Sequence, residues 1–425
     1  MDNQSLIARR ERLLGKKAPL FYDEPVHLVK GEGVWLFDSA GKKYLDCYNN
    51  VPSVGHCHPK VVAALCRQAG TLNTHTRYLH ENILDYAERL LAKFGDSLNR
   101  AMFVCTGSEA NDQALRIARL HTGNSGIICT DATYHGNTTA VSKLNTIFGD
   151  SGGPPDEVRK VPWPDSYRTP DGLSGEGLAD AYATHVSQAI ASLQSSGLGV
   201  AGMIVCPIFA NEGLPTEPQH YLRKAMQLVR EAGGLFIADE VQAGFGRTGK
   251  WWGHLECGLT PDIVTLGKPM GAGHPLAGVV ARSDLIDEFQ EKDGYFNTFG
   301  GNPVSCAVGL AVLDVIEEEN LLANAAEVGD FVLQGFLDLQ SRYDIIGDVR
   351  GSGLFFGIEL VSDRDKKAPL ASEAKRISNR MRDEGVLMSY IGEHDNVLKL
   401  RPPLCFSKQN ADLMLTVLDR VMAEA

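Results

Sequence analysis

Residues 235–273, LFIADEVQAGFGRTGKWWGHLECGLTPDIVTLGKPMGAG, decide how this chain folds. They contain two short, mainly apolar runs, 235–238 and 262–267, which lead directly into Asp239 and Lys268. Runs of this kind, bounded by Gly and Pro, are typical of buried strands in a parallel sheet, and ligands gather at the carboxyl ends of such strands. We therefore expect Asp239 and Lys268 to face one crevice. A lysine in a tight, glycine-flanked turn is also a candidate for a Schiff base.

Outside this stretch, strands and helices alternate from residue 101 onward, which predicts an α/β fold with a mainly parallel central sheet. The sequence Gly-Gly-Asn-Pro at 300–303 marks a domain boundary. We expect a large domain at 48–302, a smaller α+β domain at 303–425, and an N-terminal segment, 1–47, that packs with the small domain. Local patterns also predict a hairpin that turns at 31–33, helices at 59–69, 82–94, 109–120 and 304–318, and strands at 102–104, 126–130, 202–206 and 397–400.

Composition and charge exclude several classes of function. The net charge of −12 argues against a nucleic-acid surface and against binding to an anionic membrane. The nine cysteines include no CxxC pair, and the first residues contain no apolar run of signal-peptide length, so we expect a cytoplasmic protein. His56-Cys57-His58 is a weak metal motif, because nothing nearby completes a tetrahedral set, and we predict no metal site.

Three further motifs each allow a structural and a functional interpretation. Thr106-Gly107-Ser108-Glu109, after a predicted strand, is a helix-capping box, but the same turn presents backbone N–H groups that can bind a phosphate. Tyr134-His135-Gly136 forms either a buried aromatic corner or a ring that stacks on a planar cofactor. Residues 296–301, FNTFGG, form either a plain turn or a loop that offers the hydroxyl of Thr298 to an anion.

A fourth motif, GFGRTG at 244–249, matches the GxGxxG pattern of dinucleotide-binding enzymes, but its context is wrong. The glycines do not directly follow a strand, and no acidic residue lies about 20 positions further on at a strand end. By contrast, pyridoxal 5'-phosphate (PLP) requires a lysine for its aldehyde, a carboxylate for its pyridine nitrogen, a stacking ring and a phosphate site. The motifs together offer all four.

The blocks TGSEAND, YHG, ADEVQAGFGRTG, GKPMGAGHPLAG and FNTFGGNPVSCA resemble the signature sequences of the class III aminotransferases, in the same order. This resemblance covers the chain from about Tyr44 to Leu404. It implies the PLP-dependent fold type I, and a homodimer whose active sites lie at the subunit interface.

The resemblance also implies a role for each matching residue. Lys268 forms the Schiff base, Asp239 pairs with the pyridine nitrogen, and Gln242 contacts the ring hydroxyl. The phosphate is held by Thr106, Gly107 and Ser108, and by Thr298 of the partner subunit. The ring lies between Tyr134, followed by His135, on one side and Val241 on the other.

The residues expected to bind substrate depart from the family pattern. Glutamate-using members carry an Arg that grips the substrate carboxylate, and Lys399 stands at that position, with Arg401 two residues on. Residues two apart in a strand point to the same face, so Arg401 can substitute from a different depth. The Glu that neutralises this Arg in an EPVQGEGG-like block is replaced by Asn211.

Other segments resemble a subgroup of the family that eliminates phosphate from phosphoethanolamine or phosphohydroxylysine. They include 48–51 (YNNV), 72–74 (LNT) and 396–399 (NVLK). Asn50 and His75 stand where amine transaminases often carry pocket aromatics, and Arg77 adds a cation. The alternative is that Asn49, Asn50 and Arg77 only support the subunit interface.

These features lead to three expected activities. The first is an aminotransferase that moves an amino group from a primary amine or ω-amino acid to an oxo acid such as pyruvate. The second is a phospho-lyase that acts on a phosphorylated amine, and the third is a PLP aminomutase. Lysine is a point charge and suits a phosphate at least as well as a carboxylate, so Lys399 leaves the choice between the first two open.

Overall fold

The computed structural model describes residues 3–146, 156–218 and 220–424. The strands are β1 Leu28–Glu32, β2 Trp35–Asp38, β3 Lys43–Asp46, β4 Arg100–Val104, β5 Gly126–Thr130, β6 Val158–Val161, β7 Val200–Val205, β8 Leu235–Asp239, β9 Ile263–Leu266, β10 Ala277–Ala281, β11 Ile346–Ser352, β12 Phe355–Leu360, β13 Val386–Leu387, β14 Ser389–Ile391 and β15 Val397–Leu400. The helices are α1 Asn3–Leu14, α2 Pro59–Ala69, α3 Glu81–Leu91, α4 Gly107–Thr122, α5 Thr139–Ser142, α6 Gly175–Ser195, α7 Tyr221–Glu231, α8 Ser283–Lys292, α9 Pro303–Glu318, α10 Leu321–Arg342, α11 Ala371–Asp383 and α12 Lys408–Met422.

A seven-stranded sheet with the order β4-β10-β9-β8-β7-β5-β6 forms the centre of the molecule. Its strands are parallel except β10, which runs antiparallel to both of its neighbours. Strands β5, β7, β8, β9 and β10 are buried along their whole length, because α4 and α8 cover one face of the sheet and α6 and α7 cover the other. Strands that helices cover on both faces need an almost continuous run of apolar residues. The predicted α/β fold with a mainly parallel sheet is confirmed.

Two smaller sheets accompany the central one. Strands β11, β12, β15 and β14 form an antiparallel sheet in the C-terminal part of the chain. The second sheet has the order β1-β2-β3-β13, and its last pair is parallel, with Val386 opposite Leu45. The N-terminal strands are therefore joined by backbone hydrogen bonds to the C-terminal region. The proposed domain boundaries, after residues 47 and 302, stay a prediction.

Most predicted elements appear where the local pattern places them. Helix α2 begins at Pro59, since proline with its fixed φ suits the first turn of a helix. The hairpin prediction was wrong in its turn: β1 continues through Glu32, which pairs with Trp35, and the turn lies at Gly33 and Val34. The strands pair up to this point because a two-residue connection is enough to reverse the chain.

The carboxyl ends of the parallel strands meet along one edge of the central sheet. Here β8 ends at Asp239, and β9 is followed by Gly267 and Lys268. On either side, β4 leads into α4 and β5 leads to Tyr134. The topology thus gathers most of the predicted cofactor residues on this edge. In the described ranges, no helix combines the length and apolar character that crossing a membrane would need.

Candidate functional site

A cavity of about 110 Å³ opens at this sheet edge. It is lined by Gly107, Ser108, Tyr134, His135, Gly136, Cys206, Asn211, Asp239, Val241, Gln242 and Lys268. Asp239 and Lys268, which follow two neighbouring strands, thus face the same cavity. Of the residues assigned to the cofactor from sequence, Thr106 and Thr298 are not among those that line it in this chain.

The Asp239 carboxylate is buried and fixed by three hydrogen bonds. Oδ2 bonds Nδ1 of His135 at 2.6 Å and accepts from Nδ2 of Asn111 at 3.0 Å, and Oδ1 accepts from the backbone N–H of Val241 at 3.0 Å. Asn111 is itself held by the hydroxyl of Thr265, at 2.5 Å. A carboxylate restrained in this way keeps one orientation.

Asn111 is a site residue that the sequence analysis missed. It lies on the buried face of α4, next to Ala110 and one turn before Ala114 and Leu115. A polar residue at a buried position of a helical pattern needs a partner, and that signal was present in the sequence. Its partner Asp239 lies 128 residues further along the chain, so the contact itself required the structure.

Lys268 stands at the wall of the cavity, directly after β9. Burial lowers the pKa of its ammonium group, and the nearby guanidinium of Arg401 lowers it further, against the opposing effect of Asp239. A lysine with a lowered pKa is more often neutral, which is the form that attacks a carbonyl or accepts a proton. The backbone beside it is tightly packed: a Cβ on Gly107 would lie 2.9 Å from both Cγ atoms of Val241.

The turn at the start of α4 shows both features that its sequence allowed. Thr106 Oγ1 accepts from the N–H of Glu109 at 3.1 Å, and Oε2 of Glu109 accepts from the N–H of Thr106 at 2.8 Å, so the capping box is formed. The side chain of Thr106 is engaged in this cap. Gly107 and Ser108, in the first turn of the helix, line the cavity, where the positive end of the helix dipole favours an anion.

Two cations from β15 and the residue that follows it approach the cavity residue Gln242. Lys399 is buried, and its Nζ donates to the carbonyl oxygen of Ala210 at 2.5 Å and to Oε1 of Gln242 at 3.5 Å. Arg401 donates to the same Gln242 oxygen and, through Nε, to the carbonyl of Tyr48 at 2.9 Å. The predicted common face of Lys399 and Arg401 is present, with Lys399 the deeper of the two.

Further hydrogen bonds connect the two cations, through Gln242, to the part of the cavity that Tyr134 lines. The Gln242 amide donates to Oδ1 of Asn211 at 3.1 Å, and Asn211 donates to the carbonyl of Tyr134 at 3.2 Å. Burial, followed by the charge of Arg401, holds the pKa of Lys399 well below its usual range. When it is protonated, this side chain has only neutral oxygens as hydrogen-bond partners, a costly arrangement in the absence of an anion.

Asn50 lies on a short loop between these cations and Lys268. Tyr48, at the start of this loop, holds Arg401, and Ser53, near its end, donates to the carbonyl of Pro269 at 2.9 Å. The Asn50 side chain is buried, and neither its oxygen nor its nitrogen has a hydrogen-bond partner within the described residues. An orphaned buried amide of this kind fits a site that a ligand or an ordered water completes.

His75 and Arg77 lie away from the cavity of their own chain. The guanidinium of Arg77 is 3.9 Å from the ring centroid of Phe296, and the His75 ring meets the same ring edge-on at 5.7 Å. Phe296 belongs to the loop that carries Thr298, which is exposed. The predicted substrate residues His75 and Arg77 therefore group with Thr298, the residue assigned to the partner subunit.

The two histidines of the weak metal motif, His56 and His58, are engaged in other contacts. His56 Nε2 bonds Asp46 Oδ2 at 2.6 Å, and His58 Nε2 bonds Glu319 Oε1 at 2.9 Å, so the two imidazoles serve different carboxylates. Within the ranges that the structure describes, no group of three or more His, Cys, Asp or Glu side chains is placed to hold a metal ion.

The cavity residues fit PLP. They supply a lysine of lowered pKa, a restrained carboxylate, an aromatic side chain, a β-branched side chain and a helix N-terminus. These are the groups that the cofactor's aldehyde, ring nitrogen, two ring faces and phosphate require. A side chain at position 107 would collide with Val241, so this wall of the cavity requires glycine.

Comparison with known proteins agrees with this chemistry. The sequence model of the aminotransferase class-III family matches residues 21–422. The chain is 42% identical to an alanine–glyoxylate aminotransferase 2-like protein of Drosophila melanogaster, over 98% of this chain and 86% of that protein. It is 37% identical to ethanolamine-phosphate phospho-lyase homolog 1 of Caenorhabditis elegans, over 99% and 94% of the two chains. A solved phospholyase from Arthrobacter, in complex with phosphoethanolamine, is 45% identical, with 99% of this chain and 100% of that chain covered and a TM-score of 0.95.

Proposed function

Since this chain belongs to the class III aminotransferase family of PLP-dependent enzymes, we propose that it is a phospho-lyase for a small phosphorylated amine such as phosphoethanolamine. The reaction consumes one water and releases an aldehyde, ammonia and inorganic phosphate. The observation that carries the proposal is the pair Lys399 and Arg401, two cations whose hydrogen-bond partners are neutral oxygens. The similarity to a phospholyase that binds phosphoethanolamine supports it.

The proposed cofactor contacts follow the cavity. Lys268 holds the aldehyde, Asp239 lies against the ring nitrogen, and Gln242 lies against the ring hydroxyl. Tyr134 and Val241 cover the two ring faces, and the phosphate rests on the N-terminus of α4. When bound, PLP would supply an aldehyde that reacts with the substrate amine and a ring that withdraws electrons from the adjacent substrate carbon.

Lys268 then serves as the base. Its lowered pKa favours the neutral amine, which accepts the proton from the substrate carbon that bears the nitrogen. Asp239, held by His135 and Asn111, would stay against the ring nitrogen while the carbon loses its proton. Elimination requires that the phosphate on the next carbon leaves before a proton returns.

Lys399, Arg401 and Asn50 favour this departure. A phosphate dianion placed between the two cations would supply the negative charge that they lack, and the Asn50 amide would gain a partner. The same contacts strengthen as charge accumulates on the leaving oxygens, which lowers the barrier to elimination. The sequence analysis places the aminotransferase first and the phospho-lyase second. We propose the reverse order, because the burial and the neutral partners of Lys399 are visible only in the structure.

We also propose that the active enzyme is a homodimer. The surface around the Thr298 loop exposes large apolar side chains, with Leu79 fully exposed and Tyr78 and Phe299 mostly so. Apolar surface of this size is typical of a protein interface. A second copy packed on it would bring Thr298, His75 and Arg77 of the partner subunit towards the cavity.

An aminotransferase is the second candidate. Arg401 is only half-buried, and its planar guanidinium suits the carboxylate of an oxo acid such as pyruvate better than lysine does. The similarity to an alanine–glyoxylate aminotransferase 2-like protein supports this alternative. Both reactions share Lys268 and Asp239, and differ in what Lys399 and Arg401 hold.

One pair of incubations separates the candidates. The PLP-loaded protein is mixed with phosphoethanolamine, and phosphate and ammonia are measured; a second sample receives a primary amine and pyruvate, and alanine is measured. We expect phosphate and ammonia in equal amounts with no oxo acid present. Alanine formation without phosphate release would refute the lyase. Lys268→Ala should abolish both reactions, whereas Lys250→Ala, at an exposed lysine, should change neither.

A further inference from the structure

A second cavity, of about 230 Å³, lies behind the loop that follows β7. We call it the rear cavity. Cys206 and Asn211 of this loop line the cofactor cavity, whereas Pro207, Ile208 and Leu214 of the same loop line the rear cavity. The loop is therefore a wall shared by two cavities. The rear cavity plays no part in the reaction proposed above.

The charged groups of the rear cavity leave an excess of negative charge. Glu217 lines it, and the one hydrogen bond that its carboxylate accepts from a backbone group comes from the N–H of Leu222, at 2.7 Å. Burial raises the pKa of Glu217, against the opposing effects of hydrogen bonds from Leu222 and Cys257 and of the charges of His220 and Arg223. Glu256, on the same lining, is paired with Lys250 at 3.3 Å.

Arg350, the cation of this lining, does not compensate Glu217. Its guanidinium is buried and bonded to Asp348 at 2.6 Å and to Glu359 at 2.7 Å, and its Nε donates to the carbonyl of Gly213 at 2.9 Å. Two carboxylates thus already neutralise the guanidinium. The net charge that the lining presents to a ligand is negative.

A buried hydroxyl without a partner in the described ranges lies beside the rear cavity. Thr248 lines the rear cavity, is only 5% exposed, and its Oγ1 has no hydrogen-bond partner within the described residues. The remaining walls are largely apolar, with Ile208, Leu214 and Phe355 among them. A ligand that fits has a positive charge for Glu217 and a short apolar body.

We propose that the rear cavity binds a small organic ammonium ion. The ammonium group lies near the Glu217 carboxylate, and the carbon atoms pack between the shared loop and Phe355. The ring of Phe355 is also 5.3 Å from Nζ of Lys399, so a ligand in the rear cavity touches two walls that contact the active site. Occupation of the rear cavity therefore restrains the loop that carries Asn211.

The test uses tetramethylammonium, which has no N–H and so cannot react with the aldehyde of PLP. Titration of the PLP-loaded protein by calorimetry should show one saturable site per chain, and tert-butanol, a neutral molecule of similar size, should not bind. Glu217→Gln should weaken binding at least tenfold. Glu291→Gln, at an exposed carboxylate outside the cavity, should leave it unchanged.

Thr216→Trp provides a second variant, because Thr216 is exposed at the lining and a large ring there blocks the cavity without disturbing the core. It replaces Glu217→Gln if that variant does not fold. The absence of saturable binding, or binding within threefold of the parent in the folded variant, overturns the proposal. The measurement involves no turnover, so its outcome is independent of which reaction the enzyme performs.

Discussion

Replacing Lys399 by Met should raise the stability of the protein and lower its activity. Lys399→Met removes the buried ammonium and keeps an unbranched stem of similar volume. In the structure this ammonium has only the carbonyl of Ala210 and the amide oxygen of Gln242 as hydrogen-bond partners. The ligand-free protein therefore bears the cost of a buried, poorly compensated charge, and the bound substrate gains from it.

The stability gain has an expected size and pH dependence. Replacing buried ionic groups by apolar ones of similar volume stabilises by about 1–4 kcal/mol where it stabilises at all. With an unfolding entropy of about 2.1 cal/mol/K per residue, this corresponds to a rise of roughly 1–4 °C in the apparent Tm of a chain of this length. The pKa of Lys399 is lowered in the folded state, whereas in the unfolded state it takes its usual value of about 10.4. At any pH between the folded-state pKa and the unfolded-state pKa, the unfolded protein therefore binds more protons than the folded protein. Wild-type stability therefore rises with pH across this window, and the advantage of the variant shrinks as the pH approaches the upper end.

The activity should move in the opposite direction. A hydrogen bond to a charged group contributes about 1.5–3 kcal/mol, which corresponds to a loss of about 10- to 150-fold in kcat/KM for phosphate release from phosphoethanolamine. Lys366→Met, at a side chain that is 81% exposed, is the matched control and should change neither the Tm nor the rate. If Lys399→Met retains kcat/KM within threefold, Lys399 does not hold the phosphate. If the Tm falls, the ammonium is compensated in a way that contradicts this reasoning.

Three further substitutions test the scaffold of the site. Asp239→Asn should lower kcat about 10²–10³-fold at full cofactor occupancy, since a charge held at the ring nitrogen is lost; an unchanged kcat would contradict its assignment. Gly136→Ala should weaken PLP binding about 10- to 100-fold in equilibrium dialysis, because its Cβ would lie 2.5 Å from Ser108 Oγ at a φ of +137°, and strain of this kind costs about 1–3 kcal/mol. His56→Leu should cost about 2–3 kcal/mol of stability in denaturant unfolding, because it leaves the fully buried Asp46 without its 2.6 Å partner; a smaller loss would mean that water replaces the imidazole.

Much of the central fold could be predicted because its signals are local. The capping box at Thr106 marks the start of helix α4 in the sequence. Strands β5 and β15 are short, mainly apolar runs between turn residues. Helix α10, Leu321–Arg342, was missed although its buried residues recur at helical spacing. The position of β10 between β4 and β9 was beyond such reasoning, since its antiparallel pairing depends on contacts with strands elsewhere in the sequence.

The candidate site also has parts that could be predicted from sequence and parts that could not. Asp239 and Lys268 could be brought together from sequence, because parallel strands place their carboxyl ends on one edge. The anchoring of Asp239 by Asn111 and the neutral partners of Lys399 could not, because they join segments more than 100 residues apart. Arg77 packs on Phe296 of its own chain, and its predicted contact with substrate requires a second subunit.

Gln242 connects the two cations, Lys399 and Arg401, with residues that line the cofactor cavity. Its amide oxygen accepts from both Lys399 and Arg401, and its amide nitrogen holds Asn211, which in turn holds the backbone of Tyr134. A phosphate that draws the cations towards itself weakens their hold on Gln242, and Gln242 is the residue proposed to contact the ring hydroxyl. Binding of a charged leaving group would then alter how the cofactor is held, whereas a substrate without that charge leaves Gln242 fixed by both cations. In the proposed lyase, the charge of the substrate would thus affect whether elimination competes with proton return.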